Sequence, residues 1–328
     1  MKEIKIKKEF ANQRIDKFVR KFLNDAPLSF IYKTFRKKDV KINDKWVKES
    51  YILKEGDNLK IYVTNAQIEE FNKPKKIEDY KSEINVIYED ENILIVNKPK
   101  GLLVHGDMTE KRITLSNMVL SYLYKKGEYK NDGIGFIPSP THRLDRNTSG
   151  LVVFAKNVKS SQIMMDLFKK HELIEKKYIL LADGKLNESG IIDAPLIKDE
   201  DKGFVKVGAL SSGAKKAITE YKLIDFNSKY SLVEAKLITG RTHQLRVHFS
   251  YINHPIIGDQ KYGNFKENKI FNAKYNYSYQ FLHAYSLKFL DLDNELSYLS
   301  NKEFKAKLFE KDEKILKDLS LYSKIKKM

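Results

Sequence analysis

The chain contains no cysteine. Disulfides, thiolate nucleophiles and cysteine-ligated metals are therefore excluded, and the absence fits a reducing compartment. No apolar run nears the roughly 18 residues needed to span a bilayer. Met1-Lys2-Glu3-Ile4-Lys5 lacks the apolar core of a secretory signal. A cytoplasmic protein without a membrane partner is expected. P-loop phrases, dinucleotide glycine clusters and metal-ligand spacings are also missing, as is any internal repeat. The nearest approach to a metal pair is His243 and His248. They stand five apart rather than four, with no carboxylate between them, so both read as hydrogen-bonding structural histidines. Acidic residues are in deficit: 44 Asp+Glu face 61 Lys+Arg, a net charge of +17. That excess favours a polyanionic partner, nucleic acid or an acidic membrane surface.

At 328 residues and 41% hydrophobic content, the chain can build a sizeable core in one large domain or two smaller ones. Residues 1–64 carry 17 basic and 9 acidic residues, a net charge of +8. Ile15, Phe18, Val19, Phe22 and Leu23 fall at helical spacing. A second helix is expected from Ser29, a good N-cap, with Ile31 and Phe35 inward and Lys33, Arg36, Lys37 and Lys38 on its other side. Val40-Lys41-Ile42 and Trp46-Val47 bracket the turn residues Asn43-Asp44, and Tyr51-Ile52-Leu53 and Leu59 to Val63 continue a β pattern. The phrases Arg14-Ile15-Asp16-Lys17-Phe18 and Arg36 to Asn43 resemble the S4 domain, a small RNA-binding module. That resemblance implies that Lys33, Arg36, Lys37 and Lys38 contact RNA. Residues 65–84 are polar, include Lys73-Pro74-Lys75-Lys76, and read as a linker.

A second domain is expected over 85–300. It opens with Val86-Ile87-Tyr88 and Ile93-Leu94-Ile95-Val96, a hairpin signal. Thr114 to Tyr124 and Lys159 to Glu172 show helical periods; Met164 and Met165 of the latter read as gap-filling core. Glu175 to Ala182, Lys216 to Asp225 and Tyr230 to Thr239 read as strands. In Thr239-Gly240-Arg241-Thr242-His243-Gln244-Leu245-Arg246-Val247-His248, Gly240 and Thr242 suggest a strand-to-helix turn with an N-cap, placing Arg246 about one turn into the helix. Residues 301–328 form a Lys-rich tail with no assigned role. The fold class is α+β: a basic helix-and-hairpin module, then a large, mostly antiparallel sheet flanked by helices.

The centre of the chain is His142-Arg143-Leu144-Asp145-Arg146-Asn147-Thr148-Ser149-Gly150. It sets one carboxylate between two arginines, ahead of the apolar strand Leu151-Val152-Val153-Phe154-Ala155. Neighbouring positive charge keeps such an aspartate ionised. The residues alone leave it an ion-pair partner, a general base or a nucleophile. The wording of the stretch resembles the active-site motif of the RluA family of RNA pseudouridine synthases, the branch acting on large-subunit (23S) ribosomal RNA. Asn97-Lys98-Pro99-Lys100-Gly101, the 239–248 phrase, Pro255 to Asp259, Tyr262-Gly263 and His283-Ala284 extend the likeness. His105-Gly106, where many relatives have His-Pro, points to the C-type branch.

The resemblance implies an enzyme, an isomerase, with Asp145 catalytic, Arg246 its basic partner and Tyr178 stacked on the target base. Arg143 would fill the space the base vacates, Leu245 would form a neutral wall, and His142 and Arg241 would complete the substrate site; Arg241 is also the alternative partner of Asp145. Uridine isomerisation changes no oxidation state and hydrolyses nothing, so no cofactor or metal is expected. The expected partner is ribosomal RNA, bound by a monomer. Transfer RNA as substrate, a non-catalytic RNA-binding assembly factor and a glycosidic hydrolase stay as alternatives, although hydrolases employ two carboxylates and the motifs supply one.

Overall fold

The computed structural model describes residues 1–71, 77, 80, 83–129, 136–170, 172–199 and 203–325. The chain divides into two compact units, residues 1–80 with 120–137, and residues 81–119 with 138–328.

In the smaller unit the apolar stripe of α1 (Ile15–Phe22) and Ile31 and Phe35 of α2 (Leu28–Arg36) bury against a four-stranded antiparallel sheet. Its strands are β1 (Lys2–Lys5), β2 (Val40–Ile42), β3 (Lys45–Trp46) and β4 (Asn58–Ile61), in the order β1-β4-β2-β3. Asn43 and Asp44 both take positive φ, as a two-residue hairpin turn requires. The second helix starts one residue before the expected Ser29 cap, because Pro27 at the N-cap already fixes a compatible φ. Tyr51-Ile52-Leu53 contributes only an isolated bridge, Arg14 to Ile52, and no strand. The expected linker does not begin at 65: Asn65–Phe71 is a helix, α3, and Ile68 and Phe71 pack on the small core. The run Lys73-Pro74-Lys75-Lys76 lies outside the described residues.

The larger unit is built on a ten-stranded sheet. Its strands in chain order are β5 (Val86–Glu89), β6 (Ile93–Lys98), β7 (Ser139–Pro140), β8 (Ser149–Ala155), β9 (Ile174–Asp183), β10 (Ser189–Asp193), then, after the separate hairpin β11 (Leu196–Lys198) and β12 (Val205–Val207), β13 (Ile218–Phe226), β14 (Tyr230–Leu237), β15 (Leu282–Phe289) and β16 (Glu303–Lys305). The order is β10-β13-β14-β9-β15-β8-β6-β5, with β16 beside β15 and β7 beside β8; the β15–β8 pair is parallel and the others antiparallel. The sheet is mostly antiparallel and the fold class α+β, as expected. α4 (Leu115–Lys125) bridges the sequence of the two units. α5 (Val158–Lys170) buries Met164, Leu167 and Phe168 against one core. α6 is Gln244–Tyr251; α7 (Phe265–Tyr275) and α8 (Glu310–Asp318) close a second core around Phe271, Phe281 and Leu316.

The C-terminal stretch is no tail. β16 pairs with β15, Ile315, Leu316 and Leu321 are buried, and Asp312 ion-pairs with the buried Lys100 at 2.6 Å. A short final helix, α9 (Tyr322–Ile325), packs beside that core. Met165 also departs from its expected place in a core: it is 59% exposed and lines a cleft. A step of one residue turns an α-helix by about 100°, which carries Met165 off the inward side that Met164 occupies.

Candidate active site

β8 fixes the central motif. Gly150 adopts φ +115°, and a Cβ there would lie 2.2 Å from the Ala284 carbonyl of β15. Only glycine permits this approach, and it opens the β8–β15 pair at the point where the motif loop leaves the sheet. Ser149 and His283 tie the same junction, Oγ to Nδ1 at 2.9 Å, while His283 Nε2 reaches the Ala306 carbonyl at 3.0 Å. The loop closes on itself through Thr148 N–H to the Asp145 carbonyl, 3.1 Å. Beneath it lies Lys98, wholly buried, whose Nζ donates to the carbonyls of Pro99, Leu102 and Arg146 at 2.8–3.0 Å. Burial pushes its pKa down to about 7, against the pull of the Asp145 charge. Arg146, the second arginine of the motif, donates Nε to the Gly101 carbonyl and so points away from Asp145.

Asp145 faces α6. Arg246 Nη1 donates to its Oδ2 at 2.8 Å. The same guanidinium grips Asp259 through Nε at 2.7 Å and Nη2 at 2.9 Å. Asp259 Oδ1 accepts two further bonds, from the backbone N–H groups of Lys261 and Tyr262. Burial of Asp259 works to raise its pKa; the hydrogen bonds and charge of Arg246 outweigh this and leave it below the ordinary value. A planar fork between two carboxylates suits arginine and not lysine. Arg246 is therefore the partner of Asp145. Arg241 is not: its Nε donates to the Lys216 carbonyl at 3.0 Å, on the cleft rim.

The turn before α6 differs from expectation. The N-cap is His243 with φ +55°, not Thr242, and no side chain caps it. Gln244 braces the turn instead: its Oε1 accepts the Arg241 N–H and the Thr239 hydroxyl. The left-handed backbone at His243 aims its ring at the Asp145 loop, with Nε2 3.8 Å from Asp145 Oδ2 and Nδ1 2.8 Å from the Tyr262 hydroxyl. Burial lowers its pKa, and Arg246 and Lys261 add to that against the opposing charge of Asp145. Its ring is therefore neutral near pH 7. His248, by contrast, is the buried structural residue expected, bonded to Thr219 and the Ala194 carbonyl.

Asp145, Tyr178, Arg246, Arg143, His142, Leu245 and Arg241 all line one cleft of about 890 Å³. Tyr178 projects from β9 and is 8% exposed. Burial, and then the Asp145 charge, push its phenol pKa up, so it stays protonated. Leu245 and Leu282 give apolar wall. Arg143 is exposed at the edge. The ring of His142 stacks on Phe168 at 4.1 Å and its Nε2 accepts the Val153 N–H, so it braces the loop from the cleft wall. Burial, then Lys176, push its pKa down to about 3. Lys169, Lys176 and Lys198 also line the cleft, and burial lowers Lys176 to about 8. Lys33, Arg36, Lys37 and Lys38 are exposed on and after α2 of the smaller unit. Among the described residues no group of three or more His, Asp or Glu could hold a metal ion, and no helix is long and apolar enough to cross a membrane.

This arrangement defines a carboxylate clamped by an arginine inside a basic, aromatic-walled cleft. Comparison with known proteins assigns it to a class. Residues 92–251 match the family model described as RNA pseudouridylate synthase. A human protein, RNA pseudouridylate synthase domain containing 4, shares the fold with a TM-score of 0.58 and 25% identity, over 72% of this chain and 93% of its own. The chain belongs to the RluA family of RNA pseudouridine synthases, and is an isomerase. An uncharacterized RNA pseudouridine synthase of Mycoplasma capricolum is 37% identical, over 90% of this chain and 94% of the relative. Ribosomal large subunit pseudouridine synthase C of Vibrio parahaemolyticus is 33% identical, over 93% of each chain. Synthase D of Buchnera aphidicola is 34% identical, over 86% and 87%.

Proposed function

We propose that this enzyme converts uridines of large-subunit (23S) ribosomal RNA to pseudouridine, with the Asp145 carboxylate as the reacting group. The observation that carries the reading is the asymmetry of that carboxylate. Arg246 holds Oδ2, and Oδ1 accepts no hydrogen bond among the described residues. Oδ1 is thus the carboxylate oxygen presented to the cleft. The reaction breaks N1–C1′, turns the uracil and forms C5–C1′; C5 loses a proton and N1 gains one. Attack at C1′ and proton removal at C2′ make the same demand: a carboxylate oxygen at the ribose that cannot rotate away.

The base must first leave its stack, at a cost of a few kcal/mol. The Tyr178 ring receives it against the apolar surface of Leu245. Arg143, exposed and planar, is suited to stack in the space left behind. The cationic rim draws in the phosphates, and the basic smaller unit, with its S4-like sequence, adds affinity without sequence choice. The choice of large-subunit RNA rests on the names of the C- and D-type relatives.

The test is pseudouridine mapping of ribosomal and transfer RNA in cells lacking the gene, rescued by wild type or by Asp145→Ala. Ribosomal sites lost on deletion and restored by wild type alone are expected. Loss confined to transfer RNA would reassign the substrate. Rescue by Asp145→Ala would remove Asp145 from the chemistry.

A further inference from the structure

We infer that His243 is a second positioning residue for Asp145, oriented by Tyr262, and that it acts with Arg246 to hold Oδ2 and leave Oδ1 to the substrate. The inference rests on Asp145 being the reacting group. Its observations are independent of that reading. Both His243 Nε2 and Arg246 Nη1 approach the same oxygen, at 3.8 and 2.8 Å. The Tyr262 oxygen already accepts the Val205 N–H at 3.0 Å. Its own proton is therefore available to His243 Nδ1, 2.8 Å away. Burial raises the Tyr262 pKa and keeps that proton in place. A neutral imidazole receiving at Nδ1 carries its hydrogen on Nε2, the nitrogen turned toward Asp145.

Tyr262 serves both donors. Its ring lies 5.1 Å under the Arg246 guanidinium and 5.5 Å from the His243 ring. Its backbone N–H bonds Asp259, the second anchor of Arg246. Two arms thus converge on Oδ2: Asp259 to Arg246, and Val205 to Tyr262 to His243. At 3.8 Å the histidine arm is longer than a hydrogen bond. It acts as an oriented N–H dipole aimed at Oδ2. The left-handed backbone at His243 is what makes this possible, since a helical φ would place the ring on another bearing. The charged and titratable groups facing the ring are Asp145, Arg246, Asp259, Lys261 and Tyr262.

The test uses the full-length protein. Asparagine tolerates positive φ but cannot place a donor where Nε2 stands; glutamine can. Turnover is read as tritium released from C5-labelled uridine in transcripts of large-subunit ribosomal RNA. His243→Asn is expected to lower kcat about 10- to 100-fold with little change in KM, and to move the acid limb of kcat to higher pH. His243→Gln is expected to recover most of kcat. Tyr262→Phe is expected to fall between them. Nitrogen-15 NMR at pH 7.5 is expected to show His243 protonated at Nε2, and to show that preference weakened in Tyr262→Phe. Protonation at Nδ1 in the wild type would overturn the inference. So would His243→Asn with wild-type kcat and an unmoved acid limb. An active Asp145→Asn would instead overturn the reading of Asp145 itself.

Discussion

Arg246 carries two duties that separate in experiment. Toward Asp145, a carboxylate 27% exposed, its role under the proposed function is to support catalysis; toward Asp259, a carboxylate 1% exposed, it is structural. Removing one partner of a buried pair leaves an uncompensated charge and costs roughly 3–5 kcal/mol. Arg246→Met is therefore expected to lower both activity and unfolding free energy, whereas Asp145→Asn is expected to abolish turnover with a change in stability within about 1 kcal/mol. Urea titration of both variants checks this. The pH dependence has a definite sign. The folded pKa of Asp259 lies below its unfolded value of about 3.9. The stabilisation is thus complete above that value and is lost as pH falls through the folded pKa. The gap in stability between wild type and Arg246→Met is expected to shrink as pH falls, because acid protonates the Asp259 carboxyl that the variant leaves buried without its partner. Of this cluster, the motif wording pointed to Asp145, Arg246 and Tyr178. His243 was hidden, because a positive φ at a helix N-cap leaves no mark in residue spacing, and its distance from His248 argued only against a metal. Asp259 and Tyr262 belonged to recognised phrases without a role, since what they hold is an arginine in another element.

Elements with one buried face were the most legible. The stripe of α1 follows from helical periodicity and the Asn43-Asp44 turn from its turn-forming residues. Elements whose burial is supplied by distant sequence were not. β1 has four residues and only one buried, and is a strand because β4 pairs with it. α3 has no fully buried residue, yet docks Ile68 and Phe71 on the small core. The Lys-rich composition of residues 301–325 hid α8, whose Ile315 and Leu316 share a core with residues some 80 or more positions earlier in the sequence, such as Ile179, Tyr230 and Leu232. The consequence is testable. Ending the chain at residue 300 would uncover Ile315's and Leu316's neighbours, each such contact site worth about 1.5–3 kcal/mol, and would leave Lys100 buried without Asp312. The truncated protein is expected to be insoluble or to lose its cooperative unfolding transition by circular dichroism. Asp312→Asn, which retains the shape of the side chain, is expected to fold with reduced stability. Full stability after truncation would restore the tail reading.

Across the whole molecule the charge is unevenly spread: residues 1–64 carry +8 of the +17, while Asp145, the proposed reacting carboxylate, sits in the larger unit. Phosphate contacts give affinity that falls with salt, with a slope in log–log form of about −0.7 per contact for single strands and −0.9 for duplex. Chemistry at Asp145 depends on groups sealed near it, which salt screens far less. The two should therefore come apart. Raising salt is expected to increase KM for RNA steeply and leave kcat nearly constant. Replacing Lys33, Arg36 and Lys37 together by glutamine is expected to raise KM at low salt and to reduce the salt slope by about 2 to 3, again sparing kcat. Lys38 is kept in this variant because it lies 5.5 Å over the ring of Trp46, the one tryptophan in the chain. An unchanged Trp46 emission then certifies that the smaller unit is intact, so that any change in slope reports charge alone. If the triple variant kept the wild-type slope, the cations that meet RNA would be those lining the cleft, Arg143, Lys169, Lys176, Lys198 and Arg241, and the smaller unit would owe its charge to something other than the substrate.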